Sequence, residues 1–259
     1  MKKKALITGA SSGIGLELAK IFASKGIDLL LIARNEKALN KLQDELFIKY
    51  SVDVDIFPKD LSKPESADQV FEYCQQKNYQ IDYLVNNAGF GDYGVFAESN
   101  WDKQLEMINL NITGLTKLTH LFLPTMLERK YGKIMQVASI ASFLPGPLMS
   151  VYYATKAYVL HFSEAISNEL EGSGVTVTAL CPGPTESGFQ DAANLGESKL
   201  VKGRRLPSSL DVANYGFNAM MKGKKVAIHG TFNYIKANSI RFTPRNLVLK
   251  IARFIQDKK

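Results

Sequence analysis

Thr8-Gly9-Ala10-Ser11-Ser12-Gly13-Ile14-Gly15 is the stretch on which the reading of this chain turns. It follows Lys4–Thr8, an apolar run with the length of a buried strand, and it opens Gly13–Lys25, where apolar residues recur at helical spacing. Glycines let a backbone turn sharply and approach a ligand closely. The first helical turn then offers free N–H groups and a positive dipole end to a pyrophosphate. The spacing is GxxxGxG rather than GxGxxG, and no GK[ST] follows, which disfavours a P-loop. A glycine-rich turn alone can be a bare strand–helix connection; its place on the first strand favours the nucleotide reading.

Outward from this turn, Asp28–Ala33, Asp53–Pro58, Tyr83–Asn86, Lys133–Val137, Val175–Leu180 and Lys225–Ile228 read as strands. Glu36–Lys49 and a stretch near Pro64–Lys77 read as helices. Runs of Leu, Ile and Val without alternation indicate strands covered on both faces. Strand–helix alternation implies right-handed crossovers and a doubly wound parallel α/β sheet of Rossmann type in three αβα layers. Ser62, Ser99 and Ser208 each precede an acid by three residues (Glu65, Asp102, Asp211), which predicts three helix starts. The long irregular stretch Pro182–Pro207 reads as a mobile flap.

Composition narrows the classes. The 259 residues are 46% hydrophobic and 22% charged, which excludes disorder, collagen and a coiled coil. A net charge of +7 suits an anionic ligand, nucleic acid or an acidic membrane surface; no aromatic–basic repeat supports nucleic acid, and none is expected as a partner. Cys74 and Cys181 form no CxxC pair, and His120, His161 and His229 show no ligand spacing, so neither a disulfide framework nor a metal site is expected. Ala5-Leu6-Ile7 is too short for a secretory apolar core and no apolar run is long enough to span a bilayer; the expected location is the cytoplasm.

Four motifs occur in one order: TGASSGIG at 8–15, Asn86-Asn87-Ala88-Gly89, Tyr152-Tyr153-Ala154-Thr155-Lys156, and Pro182-Gly183. Together they resemble the short-chain dehydrogenase/reductases, in the single-domain branch, from about residue 4 to about residue 230. The resemblance implies an NADP(H)-dependent oxidoreductase that interconverts a carbonyl compound and its alcohol by hydride transfer, assembled as a homo-oligomer. The implied cofactor contacts are Gly9, Ser11, Ser12, Gly13, Ile14, Gly15, Asp60, Leu61, Asn87, Ala88, Gly89, Tyr152, Lys156, Pro182, Gly183, Thr185 and Ser187, with Asn86 supporting the central strand. Ala33 stands where NAD-preferring relatives carry aspartate, and Arg34 follows it; a guanidinium fork suits a 2′-phosphate. The alternative is that Arg34 is only a solvated loop cation.

The same resemblance assigns catalysis to Asn111, Ser139, Tyr152 and Lys156. Tyr152 and Lys156 are four apart, on one helix face. A free phenol has a pKa near ~10, and a lysine cation ~4 Å away at an effective dielectric near 20 would favour phenolate by about 4 kcal/mol. Ser139 lies 13 residues before Tyr152 and can hydrogen-bond the reacting oxygen, with Ser142 the nearby alternative. Asn111 fits the NxxG spacing and Asn109 does not. Cys181 reads as a buried structural thiol. Tyr93, Phe96, Phe143, Met149 and Phe189 are candidates for an apolar substrate pocket. The competing function is a catalytically silent nucleotide sensor or scaffold of the same fold.

Residues 1–230 are read as the dinucleotide-binding and catalytic domain and 231–259 as a C-terminal helical extension. In the latter, Leu247, Val248, Ile251, Phe254 and Ile255 follow helical spacing. That helix packs on its own domain or a partner subunit, or else lies on a membrane surface.

Overall fold

The computed structural model describes residues 2–193 and 206–257. In chain order the elements are β1 (Lys4–Thr8), α1 (Gly13–Ser24), β2 (Asp28–Ala33), α2 (Glu36–Tyr50), β3 (Val54–Pro58), α3 (Ser66–Gln76), β4 (Ile81–Asn86) and α4 (Trp101–Ile108). They continue with α5 (Leu115–Glu128), β5 (Gly132–Val137), α6 (Ser150–Glu169), β6 (Val175–Cys181), α7 (Phe189–Ala192), α8 (Ser209–Met221), β7 (Val226–Ile228), α9 (Thr231–Ser239) and α10 (Arg245–Gln256). Each strand the sequence predicts is present, within two residues of its expected bounds.

All six strand pairings are parallel, in the order β3-β2-β1-β4-β5-β6-β7. The strands are covered on both sides because neighbouring residues point to opposite faces. Ala5, Ile7, Leu29 and Leu31 pack with α1, α2 and α8, whereas Leu6, Leu30 and Ile32 pack with α3 and α5. Leu6, Ile7 and Leu29–Ile32 are wholly buried, each contributing about 1.5–3 kcal/mol relative to exposure. The chain reverses its direction of winding between β1 and β4, so a crevice opens at the carboxyl ends of those two strands.

Two of the three helix starts differ from expectation. Ser208 caps α8, its hydroxyl accepting from Asp211 N at 3.1 Å. Ser99 does not cap α4; Asn100 does, accepting from Lys103 N at 3.0 Å, while the Ser99 hydroxyl donates to Phe96 O. Ser62 is drawn to the end of β3 instead, donating to Asp60 Oδ1 at 2.8 Å, and α3 begins at Ser66. Residues 194–205 of the expected flap lie outside the described residues; before them, Phe189–Ala192 forms one helical turn.

The C-terminal extension is two helices. Val248, Ala252 and Gln256 of α10 face inward, while Leu247 and Ile251 are exposed. Among the described residues no helix is long and apolar enough to cross a membrane.

Candidate active site

At the crevice, the ends of β1 and β4 are stitched together. The Thr8 hydroxyl accepts from the backbone N–H groups of Asn87 and Ala88, both at 2.9 Å, and Asn87 Nδ2 donates to Thr8 O at 2.9 Å. Gly9 needs its missing side chain here. Its φ is +66°, and a Cβ would lie 2.9 Å from Ala88 Cα. Gly15 serves packing: a Cβ there would stand 2.3 Å from Gly9 O and 2.4 Å from Asn87 Nδ2. Gly15→Ala should therefore destabilise the fold by about 2–4 kcal/mol, read as a lowered urea midpoint with an unchanged slope. A midpoint within error of wild type would show that the loop gives way freely.

A cavity of about 430 Å³ runs from this crevice to α6. Its walls include Gly9, Ser11, Ser12, Gly13, Ile14, Arg34, Asp60, Leu61, Asn87, Ala88, Gly89, Ser139, Tyr152, Lys156, Pro182, Gly183, Thr185 and Ser187. Two residues of the expected set stand behind the walls, Gly15 and Asn111. Residues that sequence reasoning did not single out also line it, among them Asn35, Lys59 and Leu110, and so does Tyr153, which lies three residues before Lys156 and does not complete the YxxxK spacing. Of the apolar pocket candidates, Met149 and Phe189 line the cavity. Phe96 is 58% exposed, and Phe143 packs instead against the cluster of Leu160 and Ala179, so neither belongs to this wall.

The floor under the glycine loop is the N-terminus of α1. Ser12 makes no side-chain cap and the first turn carries no acid, so helix N–H groups are left for an external anion. At the far end of β2, Arg34 Nη1 lies 3.4 Å from Glu106 Oε1, an exposed pair of little strength. Asp60 is held below the usual carboxylate range: burial works against this, but the backbone and hydroxyl of Ser62, then Arg34 and Lys63, outweigh it.

Tyr152 and Lys156 both face the cavity from α6 and both are buried. Burial pushes the Tyr152 phenol up to about 12, partly opposed by the Ser139 hydroxyl. Burial pushes Lys156 down to about 8. The expected depression of the phenol by the lysine is absent. Nζ sits 5.9 Å from the Tyr152 ring centre and donates to Val137 O at 2.7 Å, so desolvation decides.

Ser139 and Ser142 part company. Ser139 lines the cavity, its oxygen accepting from Ala141 N at 3.1 Å, whereas the Ser142 hydroxyl donates to Lys156 O at 2.7 Å and anchors α6. Asn111 sits in a π-helical turn, Asn109–Gly114, between α4 and α5. Its amide donates to Phe90 O and Thr155 Oγ1, both at 3.0 Å, and its Oδ1 accepts from Phe90 N at 3.2 Å. A Cβ on Gly89 would lie 2.9 Å from Asn111 Oδ1 and 3.3 Å from Lys156 Nζ, so this glycine lets the two groups approach one another.

Comparison with known proteins agrees with this geometry. The family model for short chain dehydrogenases matches residues 3–198. The human protein named inactive hydroxysteroid dehydrogenase-like protein 1 is 35% identical over 182 residues, covering 69% of this chain and 54% of that one. Among the first curated relatives the matched stretch spans 54% to 70% of their own length. A short-chain dehydrogenase from Sphingobium yanoikuyae, solved with NADPH, superposes with a TM-score of 0.83 at 30% identity, covering 93% of this chain and 94% of that one. One from Burkholderia phymatum, solved with NAD, gives 0.83 at 25% identity, covering 100% and 98%. With a parallel seven-stranded sheet, a glycine-loop crevice and a family match over most of its length, the chain belongs to the short-chain dehydrogenase/reductase family of oxidoreductases.

Proposed function

We propose that this protein is an NADP(H)-dependent oxidoreductase that interconverts a carbonyl compound and its alcohol, with Tyr152 as general acid and base. The observation that carries the reading is the shared cavity: Ser139, Tyr152 and Lys156 line the same space as the uncapped N-terminus of α1. Gly9, Gly13, Ile14, Ser11 and Ser12 would hold a pyrophosphate, and Asp60, Leu61 and Ala88 the adenosine side. Pro182, Gly183, Thr185 and Ser187 would bound the nicotinamide end. Bound nicotinamide supplies or accepts the hydride.

The chain's own contribution is to position and to move a proton. The Tyr152 phenol, neutral in its buried setting, donates its proton to the carbonyl oxygen during reduction and takes it back during oxidation. The Ser139 hydroxyl donates a hydrogen bond to the oxygen as charge develops there. Lys156 holds a cation near the phenol, and Asn111 fixes Thr155, on the same helix, between the two. Met149 and Phe189 give the substrate end an apolar wall, which favours a hydrophobic ketone. Residues 1–230 form the working unit in this reading. Exposed Phe96, Trp101 and Leu105 support assembly as a homo-oligomer, and the cytoplasm is the compartment we assign.

A panel of aliphatic and aryl ketones, followed by NADPH absorbance and repeated with NADH, tests the reading. Arg34→Ala should raise the KM for NADPH by about 10- to 100-fold and leave that for NADH little changed. Equal effects on both cofactors would remove the 2′-phosphate role. A second reading, a silent nucleotide-binding protein, is favoured by the relative whose name calls it inactive. It predicts NADPH binding without turnover of any ketone.

A further inference from the structure

The substrate end of the cavity has an outer support that comes from the other end of the chain. Tyr153, next to Tyr152, lines the cavity and is buried, its ring filling the space that Gly146 leaves. The Tyr93 hydroxyl donates to the backbone carbonyl of Gln256 at 2.7 Å, across 163 residues of sequence. The Gln256 side chain hydrogen-bonds the Tyr153 phenol, and Gln256 is 1% exposed. One residue at the end of α10 thus touches both the loop after β4 and the helix that carries Tyr152.

What this junction supports is a continuous apolar cluster. Tyr93, Phe90 and Phe189 pack with Met149, Tyr152 and Tyr153. The Phe189 ring lies 5.3 Å from that of Tyr152. Gly91 is wedged in the same cluster, where a Cβ would stand 2.8 Å from Phe189 Cζ. The loop after β4 is tied down on its other side as well: Asp92 accepts from Lys103 Nζ at 2.6 Å and from Gln104 Nε2 at 2.8 Å. Phe90 is held by Asn111 and Gly94 N donates to Leu148 O at 2.8 Å, and the loop's link to the end of α10 is Tyr93 to Gln256. No part of the junction reaches the glycine loop or Arg34, so the two ends of the cavity are held independently.

We propose that Gln256 is a positioning residue for substrate selection: by holding Tyr93 and Tyr153 together, it fixes the far wall against which a substrate's larger substituent packs. This rests on the carbonyl-reductase reading above only for the word substrate; the junction itself is a matter of structure. Asp257 and Arg253 also face Tyr93, but their opposite charges leave the tether to Gln256 as the specific contact.

The test uses the full chain and two variants, Gln256→Leu and Tyr93→Phe, which remove one hydrogen bond each from opposite sides of the junction. Hydrogen exchange is read at the amides of 89–95 and 149–153, together with NADPH affinity from its fluorescence. Steady-state rates are measured with a diaryl diketone and with a small aliphatic ketone. Both variants should speed exchange in the two segments and leave NADPH affinity and the rest of the sheet unchanged. They should raise the KM for the diaryl diketone by about tenfold, the worth of one buried hydrogen bond, with kcat held within about twofold and the small ketone unaffected. Gln256→Asn should restore part of the loss. Unchanged exchange in both segments would overturn the proposal, as would an equal rise in KM for both ketones. Should the wild type turn over neither ketone, the catalytic reading fails, while the exchange result still decides whether the junction exists. If Gln256→Leu does not fold, Tyr93→Phe alone decides.

Discussion

Tyr152→Phe is expected to lower kcat for ketone reduction by about 10³-fold while leaving NADPH affinity within about twofold of wild type. The substitution removes one oxygen and keeps the ring, so the packing with Phe189 and Tyr153 survives. It leaves no other acid in place. Tyr153 also lines the cavity, but its hydroxyl is engaged with Gln256, and burial holds its phenol far above the neutral range. Ser139 can polarise the oxygen but is too weak an acid to replace the phenol. The split between turnover and binding separates this account from a structural one, in which both would fall. Wild-type turnover by the variant would remove Tyr152 from the chemistry.

Lys156→Met should show the second large effect, on turnover and on the pH dependence of stability. The ammonium is buried against Val137 O, and its pKa falls from an ordinary 10.5 to about 8. Between those values the unfolded chain binds more protons than the folded one, so wild-type stability rises with pH from about 8 to 10.5. The gain is about 3 kcal/mol at most, and below pH 8 the cost of the buried charge is present in full. Tyr152 acts with the opposite sign at higher pH. Its folded value of about 12 exceeds the ordinary 10, so its contribution is complete below 10 and is lost as pH rises toward 12. Urea titrations of wild type and variant between pH 7 and about 10 isolate the lysine. The difference between the two proteins should shift in favour of wild type as pH rises; a constant difference would show that the ammonium is not charged and buried as described. Turnover of the variant should fall by about 10²–10⁴-fold, since the shared cavity loses its buried cation and a side chain that would hold the cofactor.

The sheet was legible because strands buried on both faces must be largely apolar, and Leu29–Ala33 within Asp28–Ala33 is an unbroken apolar run. Gly9, Arg34, Asp60, Asn87, Ser139 and Pro182 were legible because each lies just past the carboxyl end of a strand, where a doubly wound sheet gathers its loops, whereas Tyr152 and Lys156, on α6, were read from their four-residue spacing and the family resemblance. What escaped has a common cause in tertiary competition. Ser62 had two partners to choose from, and the end of β3 won over a helix cap. The π-helical turn that carries Asn111 leaves no periodic trace in the sequence, being one extra residue in a helix. Lys156 was expected to set the charge of Tyr152, yet a backbone carbonyl holds it and burial sets the phenol instead. Tyr93 was named for the pocket but does not line the cavity; it packs behind the wall in the cluster of Met149, Tyr152 and Tyr153, and its partner Gln256 lies 163 residues away.

The central claim is that the crevice between β1 and β4 seats a dinucleotide whose reactive ring faces Tyr152 and Lys156. A crystal structure of the full chain grown with NADP⁺ tests it most directly. The account predicts the pyrophosphate on the N-terminus of α1, the 2′-phosphate against Arg34, and the Tyr152 phenol oxygen turned toward the nicotinamide beside Ser139. A dinucleotide seated elsewhere, or a phenol oxygen turned away from the ring with no other acid near it, would contradict it.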